Sequence, residues 1–378
     1  MRAAAPDFLR FSQSSLSNFP MKINFYFAVI PIVVAVVSSC KKGELDQNIK
    51  PVTPKDPDVY AAGYLLNGED DPQYPGTRIA AYWKNGVLTD LPNSFAGGYA
   101  TSIALVKGDV MIPGTVANNN HTSAVYWCNG MIKMLTVNGT TAGTAVSTTL
   151  DFYIAGTADT GAGYKPCYWK NGVLHTLPAS SYATATAIAV EGNDVYVSGQ
   201  ALSSAGSVYA LYWKNDVPHV LSDTAGLGVG GGYSIAIQGN NVYVAGVNNG
   251  FPACWKNGVA VALPGNSIFN GSAQATCMAL QGSNIYIAGS NTTDTEGDYW
   301  KNDVITALSS STQYAYQSTC LALSGNNVYV GGRASKAPPL AGSSLPVVPA
   351  YWRDTSLTLL PYRDSGGGVM GIALVPHQ

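Results

Sequence analysis

Short apolar bursts of four or five residues, parted by polar turns, run along the chain from Val59 almost to its last residue. They are rich in Val, Ile, Tyr and Ala and too short for helices, so each reads as a strand. The bursts keep a fixed order. One like TAIAV leads into a GND, GNN or GSN turn. A second ends in glycine: VYAAG, FYIAG, VYVSG, VYVAG, IYIAG and VYVGG close at Gly63, Gly156, Gly199, Gly246, Gly289 and Gly332, and a degenerate VMIPG closes at Gly114. A third carries Tyr-Trp, and a fourth ends in Leu. The phrase AYWKNGVLTDLP at 81–92 returns almost unchanged as CYWKNGVLHTLP at 167–178.

All seven tryptophans belong to this series: Trp83, Trp127, Trp169, Trp213, Trp255, Trp300 and Trp352. Their spacing of 42 to 52 residues sets the repeat. Asn-Gly at 85–86, 129–130, 171–172 and 257–258 suits a type I′ hairpin, because both residues tolerate positive φ. Asn-Asp at 215–216 and 302–303 is a poorer version. Pro at 92, 178, 264 and 361 ends pairing after the last strand. Four antiparallel strands per repeat, seven times over, predict an all-β, seven-bladed β-propeller. The first copy starts at VYAAG and lacks its innermost strand. The chain ends with VMGIALVPHQ, which has that strand's pattern. Gly371–Val375 is therefore expected beside Val59–Gly63, completing the first blade and removing the open edge. The propeller is assigned to 59–378.

The order "apolar run, GN turn, YVAG, YW, L" resembles Kelch-type blades, and YWKNGVLTDL also resembles extracellular repeats with an LWxNG core. The resemblance covers nearly all of 59–376. It implies the fold and leaves the function open, because one fold hosts many functions.

Residues before the repeats read as processing and tether. Phe25–Val37 is an apolar run preceded by Lys22 and too short to span a bilayer comfortably. Met21 opens a signal of its own, MKINFYF, and is an alternative start. VSSC at 37–40 resembles a bacterial lipobox. That resemblance implies a signal peptide over 1–39, cleavage before Cys40, and lipid on the Cys40 thiol and amine. Lys41 stands where many inner-membrane lipoproteins carry aspartate, so the same resemblance favours the outer membrane, with the leaflet left open. Residues 40–58 hold the lipidated cysteine and a polar, proline-bearing tether. Membrane attachment is expected through this lipid alone.

Composition narrows the function. Charged residues make up only 11% of the chain, and a net charge of −2 offers no basic field for nucleic acid. No H-E-x-x-H, G-x-S-x-G, C-x-x-C, P-loop or sialidase-type Asp box occurs. Gly226, Gly228 and Gly231 match G-x-G-x-x-G but precede a strand rather than a helix, so they read as a loop. No cofactor is expected, and the domain is expected to be a monomer. His175 and His219 share one repeat position on the outermost strands of different blades, where a structural role is expected over a metal pair. His121 has no acidic or sulfur partner near it in sequence. Cys277 and Cys320 share an inner-strand position that Ala187, Ser234 and Ser102 fill elsewhere. It wants a small side chain, and thiol packing is expected there over a disulfide.

The loops carry the remaining signals. The Gly-to-Trp interval is 20 in the first and last repeats and 9 to 14 elsewhere. Closing the ring makes those two long loops neighbours on one rim, where binding tends to sit. Glu69, Asp70 and Asp71 in the first are candidates for Ca²⁺, though solvated charge is the plainer reading. The between-blade loops bring Phe95, Tyr99, Tyr182, Tyr233, Phe269, Tyr314, Tyr316 and Tyr362 toward one face among Ser, Thr, Asn and Gly. Such rings either cap the core between blades or form a platform for a sugar or a peptide. The leading expectation is a lipid-anchored envelope protein binding a glycan or a partner protein. A carbohydrate-active enzyme is the alternative, with Asp223 and Asp364 as its best acids. A passive scaffold in an envelope complex is the third reading.

Overall fold

The computed structural model describes residues 56–376 except 67–77, 93–96, 118–120, 180–181, 222–228, 265–272, 291–296, 303, 309–313, 336–346 and 364–365. The described residues form 29 strands and no helix. The strands make seven antiparallel sheets. In five sheets four strands lie in simple succession, and in the first the C-terminal strand stands beside the three that open the repeats. In the second, the innermost strand comes in two pieces, Gly97–Ala100 and Ala104–Val106. Each sheet packs its face on the next, so the hydrophobic clusters draw on successive sheets. The last sheet meets the first, with Cys320, Tyr329 and Leu360 packed among Val59, Ala61 and Trp83. This is a closed seven-bladed β-propeller.

Closure uses the C-terminal strand, as the phase of the repeats predicts. Gly367–Val375 pairs with Asp58–Leu66 from Asp58↔Val375 to Leu65↔Gly367. The pairing is longer than the sequence indicates, and Asp56 just before it pairs with Arg353 at 2.8 Å.

The repeated phrases now have physical causes. All seven indoles are 0% exposed, each burying on the order of 200 Å² between blades. The Trp83, Trp127, Trp213 and Trp300 N–H groups donate to the carbonyls of Pro361, Pro92, Pro178 and Pro264 at 2.7–2.9 Å. Each proline thus ends one blade and accepts from the next. Trp169 finds no acceptor among the described residues. Its neighbour strand Met131–Val137 runs into blade 3 through Asn138 alone, in the left-handed region at φ 56°.

The Asn of each YWKNG clamps the second strand of its own blade. Asn85 accepts from the Val59 N–H at 2.8 Å and donates to Asp58 at 2.7 Å. Asn129, Asn171 and Asn215 likewise accept from the N–H groups of Val110, Phe152 and Val195 and donate to Asp109, Asp151 and Asp194. The Lys lies over the second-strand Tyr, as with Lys84 over Tyr60 at 5.1 Å and Lys214 over Tyr196 at 5.1 Å. Asn85 and Gly86 take φ of 50° and 80°, as the hairpin requires.

Candidate functional site

The innermost strands surround a channel of about 600 Å³. A β-bulge interrupts each of them at one level. Five bulges are set by single residues: Thr186 between Ala185 and Ala187, Tyr233, Thr276, Thr319 and, in the closing strand, Met370. In the other two blades the strand breaks at 101–103 and slips at 142–143. A bulge re-aims the extra side chain out of the ladder, here into the channel, which Thr101, Thr186, Tyr233, Thr276, Thr319 and Met370 all line.

These bulges also explain the repeated glycine. A Cβ on Gly246 would overlap the carbonyl of Gly231, and one on Gly332 would overlap that of Gln317. Both carbonyls are displaced toward the second strand where the ladder slips.

The bulge hydroxyls sew neighbouring blades together. Thr276 Oγ1 lies 3.0 Å from the carbonyls of Ala288 in its own blade and Ser318 across the seam, and shares its one proton between them. Thr319 Oγ1 reaches Gly331 at 3.1 Å and, across the closing seam, Val369 at 2.5 Å. Thr186 Oγ1 bonds the Gly232 carbonyl. Thr101 meets Thr141 at 2.9 Å and Ser102 meets Thr144 at 3.0 Å. At two other seams the strands approach closely at a glycine. A Cβ on Gly371 would lie 2.7 Å from the Ser102 Cα, and one on Gly143 would lie 2.8 Å from that of Ala187. This contact is why the position after the bulge takes only small residues.

Channel chemistry is uniform: hydroxyls, two tyrosines, the Gln317 amide and apolar groups, with no carboxylate or ammonium among the described lining residues. Burial raises the Tyr233 phenol above its ordinary value. Cys277 and Cys320 also line the wall as free thiols, both raised by burial.

Of the aromatic residues singled out in the sequence, Tyr99 and Tyr233 line this channel. Tyr182 and Tyr362 are exposed at 55% and 37% and do not line it. Tyr314 and Tyr316 fall on the innermost strand of blade 7. Phe95, Phe269, Cys40, Glu69, Asp70, Asp71, Asp223, Asp364, Gly226 and Gly228 lie outside the described residues. Both long rim loops do so for most of their length. Among the described residues no cluster of His, Cys, Asp and Glu is built to hold a metal ion. His175 and His219 stack on Tyr168 and Tyr212 at 4.8 and 4.7 Å between ring centroids.

The threonine ring was missed in the sequence. Its signal is a Thr just before the small inner-strand residue, in ATSIAL, TATAIAV, ATCMAL and STCLAL. It becomes visible only when the innermost strands are aligned on the bulge.

Several solved structures resemble this one at low sequence identity. The β-propeller domain of the Trilobed protease from Pyrococcus furiosus superposes with a TM-score of 0.50 at 8% identity, covering 82% of this chain and 98% of that domain. The likeness is one of fold. TolB from Acinetobacter baumannii gives 0.39 at 12% identity, covering 62% of this chain and 61% of its own. A puromycin-hydrolysing peptidase from Mycobacterium tuberculosis gives 0.44 at 11% identity, covering 80% and 54%. The chain thus spans less than two thirds of TolB and of the peptidase. No family model matches it, and none of the curated proteins does. The protease domain is described by an open velcro topology. Here the closing blade is bonded through, from Asp58↔Val375 to Leu65↔Gly367.

Proposed function

We propose that this chain is a lipid-anchored envelope protein that binds a glycan, using the channel and the rim on the side of the between-blade loops. The observation that carries the reading is the channel itself. About 600 Å³ of space is lined by Tyr99, Tyr233, Gln317 and hydroxyls, with no charged side chain among the described lining. Aromatic faces beside hydroxyl and amide groups stack sugar rings and bond their hydroxyls. The lipobox at Cys40 supports anchoring in the outer membrane. A partner protein on the same rim is the other ligand class in keeping with these residues, and the fold serves binding and scaffold roles alike.

The test is a glycan-array screen of the folded protein, with and without calcium, repeated for Tyr99→Ala and Tyr233→Ala. A hit abolished by both substitutions supports the channel as the sugar site. A calcium requirement would bring Glu69, Asp70 and Asp71 into it. A blank array on a cooperatively melting sample would count against the glycan and direct the work to envelope-protein partners.

A further inference from the structure

At the seam between blades 1 and 2 the Arg78 guanidinium lies over the Tyr64 ring at 4.7 Å and the Tyr99 ring at 5.8 Å. Tyr64 is buried, and Tyr99 is one of the two tyrosines of the channel wall. The cation thus lies over two ring faces. A guanidinium presents five N–H donors in its own plane, and stacking satisfies none of them. Among the described residues no carboxylate or carbonyl accepts a hydrogen bond from Arg78. Arg353 and Arg363, by contrast, are paired with Asp56 and Asp90 at 2.8 and 2.5 Å. Arg78 is half-buried, so its edge is neither fully hydrated nor matched. The stem of Arg333 comes near Tyr64 from the other side. A Cβ on Gly368, between them, would lie 3.0 Å from the Arg333 Cγ and 3.2 Å from the Tyr64 Cε1. The Arg78 charge thus stands beside a channel whose described lining carries none.

We propose that Arg78 is an oxyanion subsite at the channel mouth, and that the ligand is an acidic sugar of the uronic-acid class. Its carboxylate takes the paired donors on the guanidinium edge, and its ring lies against Tyr99. Arginine matches a carboxylate in fork geometry, and such charge-assisted pairs are the stronger hydrogen bonds. The tyrosines fix the guanidinium plane in advance, which lowers the ordering cost of binding. The proposal rests on the reading of the channel as a sugar site and specifies its charge.

Calorimetry on the full chain tests it with two probes, an oligogalacturonate and its methyl-esterified counterpart. They share ring and linkage and differ in charge. The acid is expected to bind at least about tenfold more tightly, with affinity falling as salt rises. Arg78→Gln is expected to remove the preference, so that acid and ester bind that variant equally. Arg78→Lys keeps a point charge without the fork, and retains a reduced preference for the acid. Equal binding of acid and ester by the unaltered chain would overturn the Arg78 subsite and leave the sugar channel standing. An Arg78→Gln chain that still prefers the acid would do the same. If neither probe binds a chain that melts cooperatively, both the subsite and the sugar channel fall.

Discussion

The indole N–H of Trp83 donates to the carbonyl oxygen of Pro361 at 2.8 Å, across 278 positions of sequence. The same bond joins Trp127 to Pro92, Trp213 to Pro178 and Trp300 to Pro264. Trp169 is equally buried and lacks it among the described residues. The pair Trp83 and Trp169 therefore separates the hydrogen bond from the packing. Both Trp→Phe variants lose similar volume. Trp83→Phe also strands the Pro361 carbonyl, so it should cost about 1 kcal/mol more than Trp169→Phe. Urea unfolding of the two variants measures the difference, and equal losses would show that the bond adds nothing net.

The bulge carbonyl makes the glycine before each third strand hard to replace. Gly246→Ala places a methyl group on the Gly231 carbonyl and should cost about 3 kcal/mol, as overpacking does. Gly239 takes φ of 57° with nothing within 4 Å of an added Cβ. Gly239→Ala meets only backbone strain, about 1 kcal/mol. A reversed order in denaturant midpoints would mean that the inner strand yields at the bulge.

Acid should loosen the blade clamps first. The amide of Asn171, and then Lys170, hold Asp151 below the ordinary carboxylate value of 3.8. Asn215 and then Lys214 do the same for Asp194. A lowered folded pKa gives stability that is present above the unfolded value and lost as pH falls through the folded one. The loss therefore belongs below about pH 4. Melting temperatures of the unaltered chain should fall in that window, and those of Asp151→Asn with Asp194→Asn should fall less steeply. Parallel curves would remove the clamps from the acid response.

Thiol labelling should follow enclosure. Burial raises the thiols of Cys167, Cys277 and Cys320, and pushes that of Cys254 up to about 12. Cys128 is half-buried on the third strand of blade 2. A thiol reagent at mildly alkaline pH should modify Cys128 first and Cys277 more slowly from the channel, with Cys167, Cys254 and Cys320 reacting only as the chain unfolds. Early mass on a peptide holding Cys320 would mean that the seam between blades 6 and 7 opens in the native state.

Much of the fold was legible because a propeller repeats itself. The tryptophan spacing, the Asn-Gly hairpins and the displaced last strand each recur or complete a recurrence, so period and closure could be read from one chain. The cause of each repeat was less legible. Gly246 reads as a strand end, and only the Gly231 carbonyl explains it. Pro178 reads as a terminator, and its second task is to accept from Trp213. The channel was harder still. Thr186, Thr276 and Thr319 are ordinary strand residues until the bulge turns them inward, and Arg78 lies outside every repeated phrase. Tyr99 and Tyr233 were found because aromatic rings among small polar residues are conspicuous. Tyr182 and Tyr362 have the same sequence signature but are exposed away from the channel.

The closing strand also orders events in time. Asp58–Leu66 is made before six further blades, and its inner partner Gly367–Val375 is made after them. Until then the first blade presents an unpaired strand toward the future channel, and no earlier segment has that partner's place. Contacts so distant in sequence are slow to form. The ring can therefore close only once Gly367–Val375 has been made. A ribosome that stalls in the last blade leaves an open edge, while one that passes the closing strand lets the first and last blades hold each other.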